Sequence, residues 1–156
     1  LLRFGRMSLT IIEGSYFRDI LDQPKAVADT VGAFEERRDL RALGTLLADG
    51  QFRRVVLTGM GSSLHALHPL ALQLVSARAT PVLVETSELV HYAGGLLDGG
   101  SLVIAVSQSG RSAETLRLLD MAEGRATVVG VTNDPESPLA RRPAHRLLLT
   151  AGPEAT

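Results

Sequence analysis

"SLVIAVSQSGRSAETLRLL", Ser101–Leu119, carries a strand, a loop and the start of a helix in one run. Ser101 to Ser107 is a continuous aliphatic stretch, the pattern of a strand covered on both faces. "SAETLRLLDMAEG" then reads as a crossover helix that stops at Gly124. Between them stand Ser107, Gln108, Ser109, Gly110, Arg111 and Ser112. These side chains are mostly neutral hydrogen-bonding groups. They include no obvious nucleophile and base, no metal cluster and no lysine-tipped phosphate loop.

Working outward, four more short runs have the same strand character. They are Arg54–Gly59, Pro81–Ser87, Ala126–Asn133 and His145–Thr150. "SSLHALHPLALQLVSARA" between the first two is long enough for a crossover helix. "ELVHYAGGLLDGG" is helix-poor after His91, and "DPESPLARRPA" has room for at most one helical turn. Strands alternating with crossovers predict an α/β fold: a doubly wound, five-stranded parallel sheet in the flavodoxin-like order 2-1-3-4-5. Upstream, residues 1–50 read as a helical lead-in. Phe17, Ile20 and Leu21 have helical spacing, Asp22 and Pro24 suit the start of a second helix, and Leu40, Leu43, Leu46 and Leu47 mark another that ends near Gly50. Residues 51–156 form the sheet domain. "AGPE" reads as the beginning of a further element, so the chain is expected to lack the domain's final helix and to be the first part of something longer.

Composition narrows the function. With 156 residues, 45% hydrophobic and 21% charged, the chain can build a real core. A net charge of −1 argues against nucleic acid or an anionic membrane as partner, and no apolar run approaches a membrane span. Lys25 is the sole lysine and cysteine is absent, which removes thiol chemistry, thiolate metal sites and disulfides. A reducing cytoplasm is compatible, and a cytoplasmic protein is expected.

Two strand ends are rich in glycine and serine: "GMGSS", Gly59–Ser63, and "SQSGRS", Ser107–Ser112. In the order 2-1-3-4-5 these strands are neighbours, and their outgoing helices lie on opposite faces. A ligand crevice therefore opens between the loops. Helix starts there favour an anion, and Gly61 and Gly110 let the backbone approach it. Ser62, Ser63, Ser107, Gln108, Ser109 and Ser112 supply neutral donors for a phosphate. The plainer reading is that these serines cap helices. "GMGSSL" also begins like a dinucleotide fingerprint with Glu85 at the ribose position, but Leu64 stands where the third glycine belongs.

"GMGSS", "ETSELVHY", "SLVIAVSQSGRSAETLRLL", "VVGVTNDPESPLAR" and "LLLTAGPE" occur in the order seen in sugar isomerase (SIS) domains. "YFRDILDQPKAVADT" resembles the helical lead-in of one subgroup. The likeness is to the first of two such domains in the isomerase half of glucosamine-6-phosphate synthase and to related sugar-phosphate isomerases and deaminases. It implies that Ser107, Gln108, Ser109 and Ser112 hold the phosphate of a fructose 6-phosphate or glucosamine 6-phosphate class of ligand, with Ser62 and Ser63 lining the same site. It also implies a homodimer, because related domains complete their pockets across subunits. No cofactor and no metal are expected. Arg111 stands where the family usually has Glu, and Met60 where it has a small residue or Cys. The acid–base Glu, Schiff-base Lys and ring-opening His of two-domain relatives come from outside this region, so the catalytic residues stay unassigned. The alternative is a module that senses a phosphosugar without catalysis, with a dinucleotide-binding domain a more distant third.

Several other groups carry weaker signals. His65 and His68 have a spacing that could bind metal, but Pro69 and the lack of a third ligand favour packing or surface roles. Glu85, Glu88 and His91 are candidate bases near the switch point, though such acids more often cap the following turn. "EERRDLRA" and "ARRPAHR" read as solvated charge clusters, and Glu154 as a residue at the pocket rim.

Overall fold

The computed structural model describes residues 15–35 and 38–152. Glu154, residues 1–14 and part of the charge cluster beginning at Glu35 lie outside the described residues. Helix α1 (Ser15–Glu35) and helix α2 (Arg38–Ala48) precede β1 (Arg54–Gly59). There follow α3 (Ser62–His65), α4 (His68–Ser76), β2 (Pro81–Glu85), α5 (Thr86–His91) and a 3-10 turn at Gly94–Leu96. The remainder is β3 (Ser101–Val106), α6 (Ala113–Ala122), β4 (Thr127–Thr132), α7 (Pro138–Arg141) and β5 (His145–Leu148). The five strands are all parallel, in the order β2-β1-β3-β4-β5. The expected sheet is the observed one.

Strand side chains alternate between two apolar layers, because successive Cβ atoms point to opposite faces. Val56, Val103 and Ala105 pack with Leu89 of α5, Leu118 of α6 and Leu139 of α7. On the other face Val55 and Leu57 meet Leu67 and Leu74, while Leu102 and Val129 meet Leu43 of α2. The early helix α2 thus covers the middle of the sheet on that face. Val55, Val56, Leu57, Val103 and Leu118 are all fully buried. That explains why the strands read as unbroken aliphatic runs.

Three expectations change in detail. Pro24 lies inside α1, which continues through it rather than starting anew. Proline removes one hydrogen bond, but Pro24 is on an exposed face where water can serve the Ile20 carbonyl. The first crossover is two helices, α3 and α4, with Pro69 in the first turn of the second. Proline has no N–H to bond back into the preceding turn and is well suited to a first turn, so the break falls at Ala66 and Leu67, just ahead of the new helix. Finally, β2 ends at Glu85, and Thr86 already begins α5. The Thr86 hydroxyl is buried against that of Thr58, 3.0 Å away, which fixes the helix start to the end of β1.

Candidate functional site

Gly59 at the end of β1 pairs in register with Val106 at the end of β3. The chain leaves β1 toward α4 on one face and leaves β3 toward α6 on the other. The 59–63 and 107–112 loops therefore flank the switch point of the sheet. Gly61 and Gly110 both adopt positive φ, 51° and 62°.

The loop after β3 is internally bonded. Ser107 Oγ accepts the Gly110 N–H at 3.2 Å, and Ser109 Oγ accepts the Arg111 N–H at 3.4 Å. Each of these oxygens is an acceptor, so each hydroxyl keeps its proton for donation elsewhere. Ser112 is the N-cap of α6: its Oγ accepts the Thr115 N–H at 3.2 Å and lies 2.8 Å from Thr115 Oγ1. The capping reading thus holds for Ser112. It does not hold for Ser62 and Ser63, which open α3 without a side-chain cap bond. Ser107 is half-buried, Gln108 and Ser109 are exposed, and Gly110 is buried. At the start of α6 the Ala113 and Glu114 N–H groups have no acceptor within the helix.

The loop between β4 and α7 has its expected single helical turn, and it also braces the 107–112 loop, a role the sequence reading does not include. The Gln108 carbonyl accepts from the Asn133 N–H and from Thr132 Oγ1, both at 3.0 Å. Ser137, fully buried, caps α7 through the Ala140 N–H and donates to the Asp134 carbonyl at 2.7 Å. Arg111 Nε donates to Asp134 Oδ2 at 2.8 Å. That accounts for the cation in the 107–112 loop: its guanidinium ties this loop to the next one. The available signal was "TNDPES", a run of turn-forming residues behind a strand. Beyond it, the Asn133 side chain donates to the Gly152 carbonyl at 2.7 Å and accepts the Ala151 N–H at 3.1 Å. A cavity of about 540 Å³ opens here, with Gln108 and Asn133 in its wall.

The lesser candidates fall around this centre. Glu85 pairs in register with Gly59, one strand away from the switch point, and Glu88 sits in the first turn of α5. The His65 and His68 rings stack with centroids 6.0 Å apart. Among the described residues no group of His, Cys, Asp and Glu has a metal-binding arrangement, and no helix is long and apolar enough to cross a membrane.

Residues 51–156 match the SIS domain family. This chain belongs to that family. It is 36% identical over 140 residues to a glutamine–fructose-6-phosphate aminotransferase (isomerizing) of Pyrococcus horikoshii. That match takes in 88% of this chain and 23% of the relative's length, so the chain spans less than a quarter of that enzyme. The C-terminal domain of glucosamine-fructose-6-phosphate aminotransferase from Francisella tularensis superposes with a TM-score of 0.76 at 23% identity. The superposition covers 91% of this chain and 41% of that one. The NanR protein of Vibrio vulnificus, solved in complex with ManNAc-6P, gives 0.68 at 21% identity over 89% and 52% of the two chains. At these identities the two structures show a shared SIS fold.

Proposed function

We propose that this chain is the phosphosugar-binding unit of an enzyme acting at an aldose–ketose centre. The ligand is of the fructose 6-phosphate or glucosamine 6-phosphate class. Its phosphate sits between the loop of Ser107, Gln108, Ser109 and Ser112 and the loop of Ser62 and Ser63. Residues 51–156 form the binding domain, residues 1–50 its helical lead-in, and the assembly is a homodimer. The observation that carries the reading is the bonding of the 107–112 loop. Ser107 Oγ and Ser109 Oγ are oriented by backbone N–H groups while their O–H protons stay uncommitted. Such a loop at the start of α6 presents donors to an anion without a buried cation. The aminotransferase relative and the ManNAc-6P complex support the choice of a sugar phosphate.

The contribution of this chain is to bind and orient. Phosphate-binding energy holds the sugar in place so that acid–base groups outside this region can work on its carbonyl end. Ser112 serves as cap and as lining together, since a serine oxygen has two lone pairs and one proton.

Thermal unfolding with added ligand tests the proposal. Fructose 6-phosphate and glucosamine 6-phosphate should each raise the midpoint, whereas free fructose and NAD should not. Stabilisation by NAD alone would sink the phosphosugar reading.

A further inference from the structure

Helix α1 meets its own domain with its polar side. Thr30 Oγ1 lies 2.8 Å from Thr150 Oγ1 and accepts the Thr150 N–H at 3.0 Å, and Thr150 Oγ1 in turn donates to the Ala26 carbonyl. Its apolar side is left in water. Phe17 is 46% exposed, Ile20 41%, Val27 62%, Val31 51% and Phe34 47%, and Pro24 is exposed between them. Their spacing, 17-20-24-27-31-34, alternates three and four as in a coiled-coil seam. A soluble domain seldom leaves so continuous an apolar stripe uncovered.

The stripe is also self-complementary. Phe17 and Phe34, Ile20 and Val31, and Pro24 and Val27 are each equidistant from the midpoint between Lys25 and Ala26. A two-fold axis through that midpoint sets Phe17 on Phe34 of the other copy and Ile20 on its Val31, and repeats both contacts by symmetry. This is what an isologous interface requires. The flanking positions Leu21, Gln23, Ala28 and Thr30 are uncharged, so no like charges oppose the pairing. The stripe offers on the order of 500 Å² per copy, or about 1,000 Å² in total, the lower end for a specific interface. Val27 and Val31 also line a cavity of about 600 Å³ against Leu149, so the apolar surface continues onto the body of the domain.

We propose that α1 is the homodimer surface of this protein, pairing antiparallel with α1 of a second copy about an axis between Lys25 and Ala26. This rests on the homodimer reading above and is independent of which phosphosugar binds.

The test uses the 156-residue chain, which has no native cysteine to interfere. Sedimentation at roughly 50 µM, suited to an interface of this size, should show a dimer, and Val27→Asp should convert it to a folded monomer with unchanged helix content. Ile20→Cys and Val31→Cys, oxidised separately, should stay uncrosslinked, and their mixture should give a disulfide-linked dimer. Within one helix these positions are about 16 Å apart, too far for an internal bond. Cross-linking of Ile20→Cys alone would mean parallel pairing and overturn the proposal. A dimer that survives Val27→Asp and forms no mixed cross-link would overturn α1 as the surface while leaving the homodimer. A monomeric wild-type chain would overturn both.

Discussion

A Cβ placed on Gly110 would come within 2.7 Å of Ser137 Cβ and 2.9 Å of Thr132 Oγ1. The loop after β3 and the loop after β4 are therefore in contact at a point with no room for a side chain. The Leu139 N–H also donates to the Gly110 carbonyl, and the Asn133 N–H to that of Gln108. The candidate phosphate loop is held in shape by its neighbour before any ligand arrives, which is the preorganisation that binding an anion calls for.

Gly110→Ala should therefore do more harm than backbone strain alone predicts. Gly124 is the control, since its φ is +68° and a Cβ there would meet nothing within 4 Å. Gly124→Ala should cost about 1–2 kcal/mol, the left-handed penalty for an L-residue. Gly110→Ala should cost distinctly more and abolish phosphosugar binding. Urea unfolding of both variants decides the matter, and equal losses would show that the Ser137 contact yields freely.

Ser109→Ala and Ser112→Ala should now separate. Both are expected to weaken phosphosugar affinity. Only Ser112→Ala removes a helix cap, so it should also lose about 1 kcal/mol of stability. Titration calorimetry with fructose 6-phosphate, alongside denaturation curves, reads both effects. Unchanged affinity in both variants would remove these serines from the site.

Arg111→Ala should leave stability nearly unchanged. Arg111 is 52% exposed and Asp134 33%, and ion pairs so open to water contribute about 0–1 kcal/mol. The loss should shrink further in high salt. A loss above about 2 kcal/mol by thermal unfolding would contradict this, since it would demand a desolvated pair.

Asp98 makes stability depend on pH at the opposite end of the central strands, where β1 and β3 begin. It accepts from the Gly100 N–H at 2.9 Å and from Ser101 Oγ at 3.2 Å, with Arg53 beside it at 2.9 Å. These contacts, the Gly100 N–H foremost, hold its carboxyl below the usual carboxylate range. A depressed pKa means stabilisation that is present above the unfolded value, about 3.9, and lost as pH falls through the folded value. Asp98→Asn should thus lower the unfolding midpoint at pH 7 and make little difference once the wild-type carboxyl is protonated. A midpoint difference that is the same at pH 7 and pH 2.5 would show that the carboxylate charge is not the cause.

Much of this architecture was legible in the chain itself. The order of strands and crossovers follows from aliphatic runs such as Arg54–Gly59 and Ser101–Val106, because a strand buried on both faces has no polar positions to spare. The two serine-glycine loops followed from strand order. Pro24 misled, because a proline signals a helix start more often than a tolerated break, and solvent on its face decides which. The segment after Thr132 was legible as a loop with one helical turn, but its bracing role was not, because that role depends on what lies beside it in space.

The sequence by itself therefore determined the fold class and the position of the two serine-glycine loops at the strand ends, since hydrophobic periodicity and glycine placement act locally. Tertiary structure decided what each polar side chain is doing. Ser112 caps a helix, and Arg111 reaches Asp134, 23 residues away along the chain. Tertiary structure also turned Thr30 inward toward Thr150 and left Phe17 and Val31 in water. Such assignments depend on hydrogen bonds and packing between segments distant along the chain, and the parallel sheet brings those segments together only when its crossovers have closed.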